Sequence, residues 1–248
     1  MEHPATSPSI GAVRERRGEI AHIEPISPAA LRAWFDSAAG SGRQRAAQML
    51  KRLLDLVGSA LAIVLVAPLL VILVLVNAAA TRGNPIFIQR RVGRYGAPFS
   101  LVKLRTMAID ADERLRAELE RDHRKAEEWH RTRKLREDPR VTRVGQVLRR
   151  YSLDELPQFL NVLVGHMSLV GPRPIVTSEM PHFGERLSAV LSVRPGLTGL
   201  WTVNGRNDVD YDERVRLEHR YATRWSLGLD LSIILKTIPA VVRGRGAY

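Results

Sequence analysis

Asp154 and Glu155 are neighbouring carboxylates in the run Ser152-Leu-Asp-Glu155, with Arg149 and Arg150 just before them. A rigid Gly171-Pro-Arg-Pro174 turn follows about sixteen residues later. Cations on both sides of a carboxylate pair can hold a phosphate against a carboxylate nucleophile. Adjacent carboxylates can also hold a magnesium ion that bridges phosphates. The same four residues equally have the form of a capping box, with Ser at the N-cap and Glu at N3. Both carboxylates would then simply be favoured by the positive end of the helix dipole. Arg173 sits between Pro172 and Pro174, so its backbone has little freedom; this suits a preorganised anion contact or a merely stiff turn. Lys103 and Arg105 follow a short extended stretch and can meet either a phosphate or lipid headgroups. The histidines lack metal-ligand spacing, and no Ser-His-Asp order, P-loop or GxGxxG is present. With no cysteine in the chain, disulfides, thiolate zinc sites, iron–sulfur clusters and a cysteine nucleophile are excluded.

The elements that would position these groups are mostly helical. Val141–Arg150 has helical periodicity, and Ser152 to about Val164 is read as a helix whose first turns Pro157 distorts. Residues 177–192 read as a helix, Leu200–Val203 as a short extended piece and Asp210–Arg224 as a polar helix. Pro85–Gln89 and Pro98–Val102 are extended, with Gly93 and Gly96 between them, which predicts a hairpin. Ala108–Arg136 is a charged helix or helix pair with a solvated surface. Leu227–Val242 is apolar at helical spacing and lies either in a membrane interface or in the core.

From Leu56 to Val76 no residue is charged, a run of 21 residues. That is the length needed to cross about 30 Å of hydrocarbon. The segment begins some fifty residues in and is not read as a cleaved signal. Both flanks are basic: Arg43, Arg45, Lys51 and Arg52 before it, Arg82, Arg90, Arg91 and Arg94 after it. A single crossing would put one basic cluster on the wrong side. Pro68, near the middle, removes a helical hydrogen bond and favours a bend. Re-entry to the same face accommodates both observations, and a kinked ordinary span is the alternative. The net charge of +12 is concentrated just beyond this segment, with residues 81–150 contributing 19 basic and 10 acidic side chains. Such an excess calls for an anionic partner. No nucleic-acid-binding module appears, so nucleic acid is not expected to be that partner.

Taken together the motifs resemble the bacterial sugar transferases that start exopolysaccharide assembly, the monotopic polyprenyl-phosphate phosphoglycosyl transferases. The matching stretches include Lys51-Arg-Leu-Leu-Asp55, Gln89-Arg-Arg-Val-Gly93, Lys103-Leu-Arg-Thr-Met107, Asp138-Pro-Arg-Val-Thr-Arg143, Ser152-Leu-Asp-Glu-Leu-Pro-Gln158, Met167-Ser-Leu-Val-Gly-Pro-Arg-Pro174 and Arg194-Pro-Gly-Leu-Thr-Gly199. The resemblance covers about residues 46–248. It implies transfer of a sugar 1-phosphate from a UDP-sugar, UDP-glucose or UDP-galactose, to undecaprenyl phosphate, with release of the nucleoside monophosphate. Mg2+ is the implied cofactor, held at Asp154 and Glu155. Asp154 is the implied nucleophile, forming a phosphosugar–aspartate intermediate, and Glu155 assists. Arg149 and Arg173 match phosphate- and nucleotide-binding positions, with Lys103 and Arg105 alongside.

The expected architecture is therefore an α/β protein, mostly helical with a small β-hairpin. It divides into a mobile tail (residues 1–49, with a helical patch at Leu31–Ala39), a re-entrant membrane helix (50–80) and a cytosolic catalytic domain (81–248). Its partners are the donor, the lipid acceptor and the lipid bilayer at the cytoplasmic face of the inner membrane; a homo-oligomer is left open. Ala67-Pro68 stands where the family often has Ser-Pro. Thr202-Val-Asn-Gly-Arg206 replaces a frequent Gln-Val-Ser-Gly-Arg, Glu218 replaces a frequent aspartate, and the terminal Gly246-Ala-Tyr248 hints at the galactose or glucose type. The rival readings are a membrane-tethered scaffold with a dead site and a nucleic-acid-binding protein.

The charge pattern makes topology testable. Single cysteines placed at Ser41 and at Asn84, in a chain that otherwise has none, should both resist an impermeant thiol reagent in intact cells and both react after lysis. Labelling of one alone would establish a true span.

Overall fold

The computed structural model describes residues 42–243 apart from 82, 133, 134 and 136. The expected tail with its patch at Leu31–Ala39, up to residue 41, and the terminal Gly246-Ala-Tyr248 lie outside the described residues. Helix α1 (Gly42–Thr81) runs unbroken through Pro68. At 1.5 Å per residue its 40 residues follow a path of about 60 Å. Of its most apolar 18-residue stretch only 6% is buried, and Leu61, Val64, Leu65 and Ile72 all face outward. Each such side chain would gain about 1.5–3 kcal/mol on leaving water, so this exposed surface favours an apolar cover.

The two ends of α1 behave differently from its middle, because both are fastened to the globular body. At the start, Lys51 Nζ pairs with Asp230 at 2.7 Å and donates to Val170 O at 3.0 Å. One turn on, Asp55 Oδ1 accepts from Ser168 Oγ and Leu169 N, each at 2.9 Å. Gly58 lies so near the Leu169 side chain that a Cβ would reach it at 2.8 Å. At the far end, buried Asn77 donates through Nδ2 to Pro85 O (3.1 Å) and Arg105 O (2.8 Å).

Beyond α1, β1 (Ile86–Val92) and β2 (Pro98–Leu104) form the expected antiparallel hairpin, with Phe87 opposite Lys103 and Gln89 opposite Leu101. The charged region is a helix pair, α2 (Ala111–Arg121) and α3 (His123–Thr132). Helix α4 (Arg143–Arg150) is capped by Thr142, whose side chain accepts from Gly145 N.

The next segment corrects the sequence reading. Ser152 is left-handed (φ 55°, ψ 25°) and makes no capping hydrogen bond. Leu153–Glu155 is a single 3-10 turn, and α5 covers only Gln158–Leu163. Pro157 explains the break: it has no N–H to donate and its ring excludes a helical carbonyl four residues earlier. The Asp154–Glu155 pair therefore sits on a tight turn, not inside a capping box.

Two further expectations change. Residues 177–192 are not one helix. Thr177–Arg186 is a series of 3-10 turns interrupted by Gly184 (φ +50°), and only Leu187–Leu191 is α-helical, as α6. Pro181 and Gly184 account for it. Two short strands that carry no periodic signal in the sequence, β3 (Ser168–Val170) and β4 (Gly196–Thr198), pair in parallel. Leu200–Val203 is one helical turn, α7, rather than extended, because Val203 N returns to Gly199 O while Trp201 is buried. The chain closes with α8 (Tyr211–Thr223), N-capped by Asp210, and α9 (Leu227–Arg243). Three small cores hold these pieces: one around Phe183 and Val215, one around Phe99, Val162 and Met167, and one around Val170, Tyr221 and Ile233.

Gly145 is the tightest joint near the turn, since a Cβ there would collide with the backbone of Thr106. Gly145→Ala should cost roughly 1–3 kcal/mol through overpacking and be read as an earlier unfolding transition, whereas Gly184→Ala, with nothing within 4 Å of its Cβ, should cost only the strain of its positive φ.

Candidate functional site

Pleating puts alternate hairpin residues on one face. Phe87, Gln89 and Arg91 from β1, with Leu101 and Lys103 from β2, form one side of a cleft of about 1160 Å³. The other walls come from Arg149 at the end of α4, the Asp154–Glu155 turn, Arg173 beyond β3, Trp201 and Arg206. All six residues singled out from the sequence, Lys103, Arg105, Arg149, Asp154, Glu155 and Arg173, line this one cleft.

Each is held by a different device. Arg149 Nε donates to Thr106 Oγ1 at 2.9 Å, and Thr106 is the residue packed on Gly145. Arg173 is fixed through its backbone, whose N–H reaches Glu218 Oε2 at 2.7 Å. Its guanidinium lies over Trp201, 4.9 Å from the ring centroid, and Arg214 is 5.7 Å from the same ring. Arg105 is the most structural of the six: its Nε donates to Asn84 O at 2.7 Å and its carbonyl receives Asn77. Ser152 and Arg206 are both non-glycine residues at φ 55°, a strain of about 1–3 kcal/mol each. They touch across the turn, Arg206 Nη2 donating to Ser152 Oγ at 3.0 Å.

Asp154 is 7% exposed. Burial raises its carboxyl above the usual range, against the pull of Lys103 and then Arg149. Burial likewise raises Glu155, with the Asp154 charge adding to it and Arg173 and Lys103 opposing. The same desolvation lowers Lys103, Arg149 and Arg173, and brings Arg91 down to about 10, with Arg173 beside it. Among the described residues no ion pair joins Asp154 or Glu155 to these cations. Positive charge thus surrounds the dyad without being used up by it, as an incoming phosphate would require. No three acidic or histidine side chains converge on one point among the described residues. Two adjacent carboxylates are nonetheless the donor set by which magnesium is commonly held when substrate phosphates supply further oxygens.

Sequence reasoning passed over several cleft residues. Gln89 and Arg91 were available from strand alternation, once Lys103 had been placed on the facing strand. Arg91 is anchored by Gln89 Oε1 (2.7 Å) and Pro174 O (3.0 Å). Arg206 stands out in the sequence only as the end of the family-like stretch Thr202–Arg206, and Trp201 not at all, because only tertiary folding brings them to the cleft. Behind them, Arg214 approaches Glu179 at 3.4 Å and Glu218 at 3.6 Å.

With this geometry in place, comparison with known proteins adds the following. A family model described as bacterial sugar transferase matches residues 46–244. The exopolysaccharide production protein ExoY of Rhizobium meliloti is 45% identical over 200 residues, covering 81% of this chain and 88% of that protein. The undecaprenyl-phosphate galactose phosphotransferase of Salmonella typhimurium is 43% identical over 83% of this chain. The UDP-glucose:undecaprenyl-phosphate glucose-1-phosphate transferase of Caulobacter vibrioides is 41% identical over 82% of this chain and 73% of its own length. The chain spans only 43% of the Salmonella protein, and 42% of a similar Haemophilus influenzae sugar transferase.

Glu218 gives this site a measurable pH dependence. Burial raises its carboxyl to about 7, although Arg214 draws it down. A carboxyl raised in the folded state favours folding fully below its ordinary pKa and loses that contribution as pH rises through about 7. Glu218→Gln, which keeps an acceptor for the Arg173 N–H, should flatten the stability–pH curve between about pH 5 and 8 by roughly 2–3 kcal/mol, measured by denaturant unfolding across that range.

Proposed function

From the bacterial sugar transferase family, to which this chain belongs, we infer that it is a phosphoglycosyl transferase moving a hexose 1-phosphate from a UDP-sugar to undecaprenyl phosphate, the first membrane step of exopolysaccharide synthesis. One observation carries this reading: a buried Asp154 and a half-buried Glu155 on a strained turn share a cleft with Lys103, Arg149 and Arg173, and no direct ion pair with any of them neutralises either carboxylate. A carboxylate attacks a diphosphate slowly unless cations first offset the phosphate charge. The relatives' names include both galactose and glucose transfer, so the donor is proposed as UDP-galactose or UDP-glucose.

The chemistry divides in two. An Asp154 carboxylate oxygen forms a bond to the sugar-bearing phosphorus, and the bond from that phosphorus to the bridging oxygen breaks. Uridine monophosphate departs with the electron pair, leaving a phosphosugar–aspartate. A phosphate oxygen of undecaprenyl phosphate then attacks the same phosphorus and returns the carboxylate of Asp154. Arg149 and Arg173 hold the donor diphosphate in line, and Lys103 faces the charge that develops beside Asp154. Asp154 must be ionised to act, and the surrounding cations oppose the rise that burial imposes on it. Glu155 fits as the second oxygen donor for Mg2+, which would neutralise the diphosphate. Trp201 keeps the Arg173 guanidinium flat against its ring, and Glu218 keeps its backbone in place.

The membrane reading rests on α1. Its polar residues lie at its two ends and bond to one body, Lys51 and Asp55 at one, Asn77 at the other. The exposed apolar middle lies between them. This supports re-entry, with both ends and the site at the cytoplasmic face, where the lipid phosphate lies. Positioning the turn there restricts the search for acceptor to a plane.

The experiment is lipid-free. Protein with UDP-sugar and magnesium should exchange labelled uridine monophosphate into the nucleotide sugar, because the first half needs no acceptor. Asp154→Asn should abolish exchange while remaining folded, since an amide cannot form the acyl phosphate. Exchange retained in that variant would return Asp154 to a structural role, and absence of exchange in the unsubstituted protein would favour the scaffold reading.

A further inference from the structure

The reacting groups use only part of the cleft. Another part of its wall is supplied by α9 through Ile234, Thr237, Ile238, Val241 and Val242. Four of these are aliphatic, and the hydroxyl of the fifth is engaged, bonding to Thr198 Oγ1 at 2.7 Å and donating to Ile233 O at 2.8 Å. None can bind a phosphate or a sugar hydroxyl. Yet Ile238 is 61% and Val242 69% exposed, and Leu231 and Leu235 continue the same uncovered stripe. Positions 231, 234, 235, 238 and 242 follow helical spacing.

Two further observations say what this stripe faces. First, α9 is a fixed wall and not a loose flap: Ile233 is buried with Val170 and Tyr221, and the Thr198–Thr237 bond ties the helix to β4 beside the cleft. Second, α9 begins where α1 joins the body. Asp230 in its first turn receives Lys51 of α1, Tyr221 and Trp225 at 2.7, 2.7 and 2.9 Å. The stripe therefore starts beside the entry of the apolar helix and leads into the charged cleft. From Ile234 to Val242 it extends about 12 Å.

We propose that this face of α9 is the subsite for the isoprenoid chain of the lipid-phosphate acceptor, with the units nearest the phosphate packed against Ile234 and Ile238. The inference rests on the reading of the protein as a transferase to a polyprenyl phosphate, and it deepens that reading by assigning where the chain lies. The chemistry matches at both ends. An isoprenoid phosphate is a branched aliphatic chain ending in a dianion, and the cleft lining passes from branched aliphatic side chains to Lys103, Arg149 and Arg173. A nucleoside or sugar against α9 would leave its hydrogen-bonding groups unpaired. Such a ligand is better served by the part of the cleft lined by Trp129, Asp138 and Arg140.

The first test needs no turnover. The full-length protein in vesicles is irradiated with a photoreactive isoprenyl phosphate and digested with trypsin, which cuts after Lys236 and Arg243. The peptide of residues 237–243 should carry label, and excess undecaprenyl phosphate should displace it. Label confined to the α1 segment, or label that the phosphate does not displace, would overturn the proposal. The second test uses Ile234→Asn with Ile238→Asn, both at exposed positions. The acceptor KM should rise roughly tenfold, the scale of a lost aliphatic contact in a pocket, while vesicle flotation matches the unsubstituted protein. An unchanged KM, or flotation lost in parallel with turnover, would make α9 an anchor and reject the subsite. Failure of the donor exchange in the unsubstituted protein would sink the transferase reading alone, because the photolabelling result stands without catalysis.

Discussion

Two neighbouring carboxylates withdrawn from water are the constraint around which the cleft is built. Desolvation raises both, and the Asp154 charge adds to the rise of Glu155. The molecule offsets this with several cations at a distance rather than with one in contact. A contact pair would have consumed the charge that the proposed diphosphate donor would need to meet. Keeping Lys103, Arg149 and Arg173 near but unpaired has its own cost, and all three are pushed towards their neutral forms by burial. The compensation is indirect: Arg173 is held by a backbone bond to Glu218 and by the face of Trp201, and Arg149 by the hydroxyl of Thr106. Each cation is thereby oriented without being neutralised.

The same constraint explains why so little regular structure surrounds the dyad. A continuous helix from Ser152 to Val164 would have spaced the carboxylates around its surface and allowed water to reach one of them. Pro157 forbids that helix, and the left-handed Ser152 turns the chain so that both carboxylates face one cleft. The helices that do form end at the site or brace it. Arg149 is in the last turn of α4, and Arg173 follows directly on β3.

How much of this was legible in the sequence depended on distance along the chain. The hairpin, α8 and α9 were evident because periodicity over seven or more residues is a strong signal. The dyad and Arg173 were evident because neighbours in sequence share a turn. The three-residue strands Ser168–Val170 and Gly196–Thr198 were not, since neither has a period to detect and their pairing joins distant segments. Pro157 signals a distorted helix in the sequence, but its full effect, confining regular helix to Gln158–Leu163, emerges only in the fold. Arg206 could not have been found locally, because its contact with Ser152 spans 54 residues. In the sequence Glu218 stands out only as a departure from a family pattern, and its bond to the Arg173 backbone across 45 residues gives it a place in the site.

Arg52 caps the end of α5, its two terminal nitrogens donating to Val162 O at 2.7 Å and Leu163 O at 2.9 Å. The other end of α5 is Pro157, two residues beyond Glu155. Helix α1 and the carboxylate turn thus meet the two ends of one strut, about 9 Å long at 1.5 Å for each of its six residues. A strut sets height, where a flexible tether would set only reach. On the transferase reading proposed above, the dyad would work at one fixed level relative to α1, so a lipid phosphate a few ångströms higher or lower, in a thicker or thinner bilayer, would meet the wall of the cleft instead of its carboxylates.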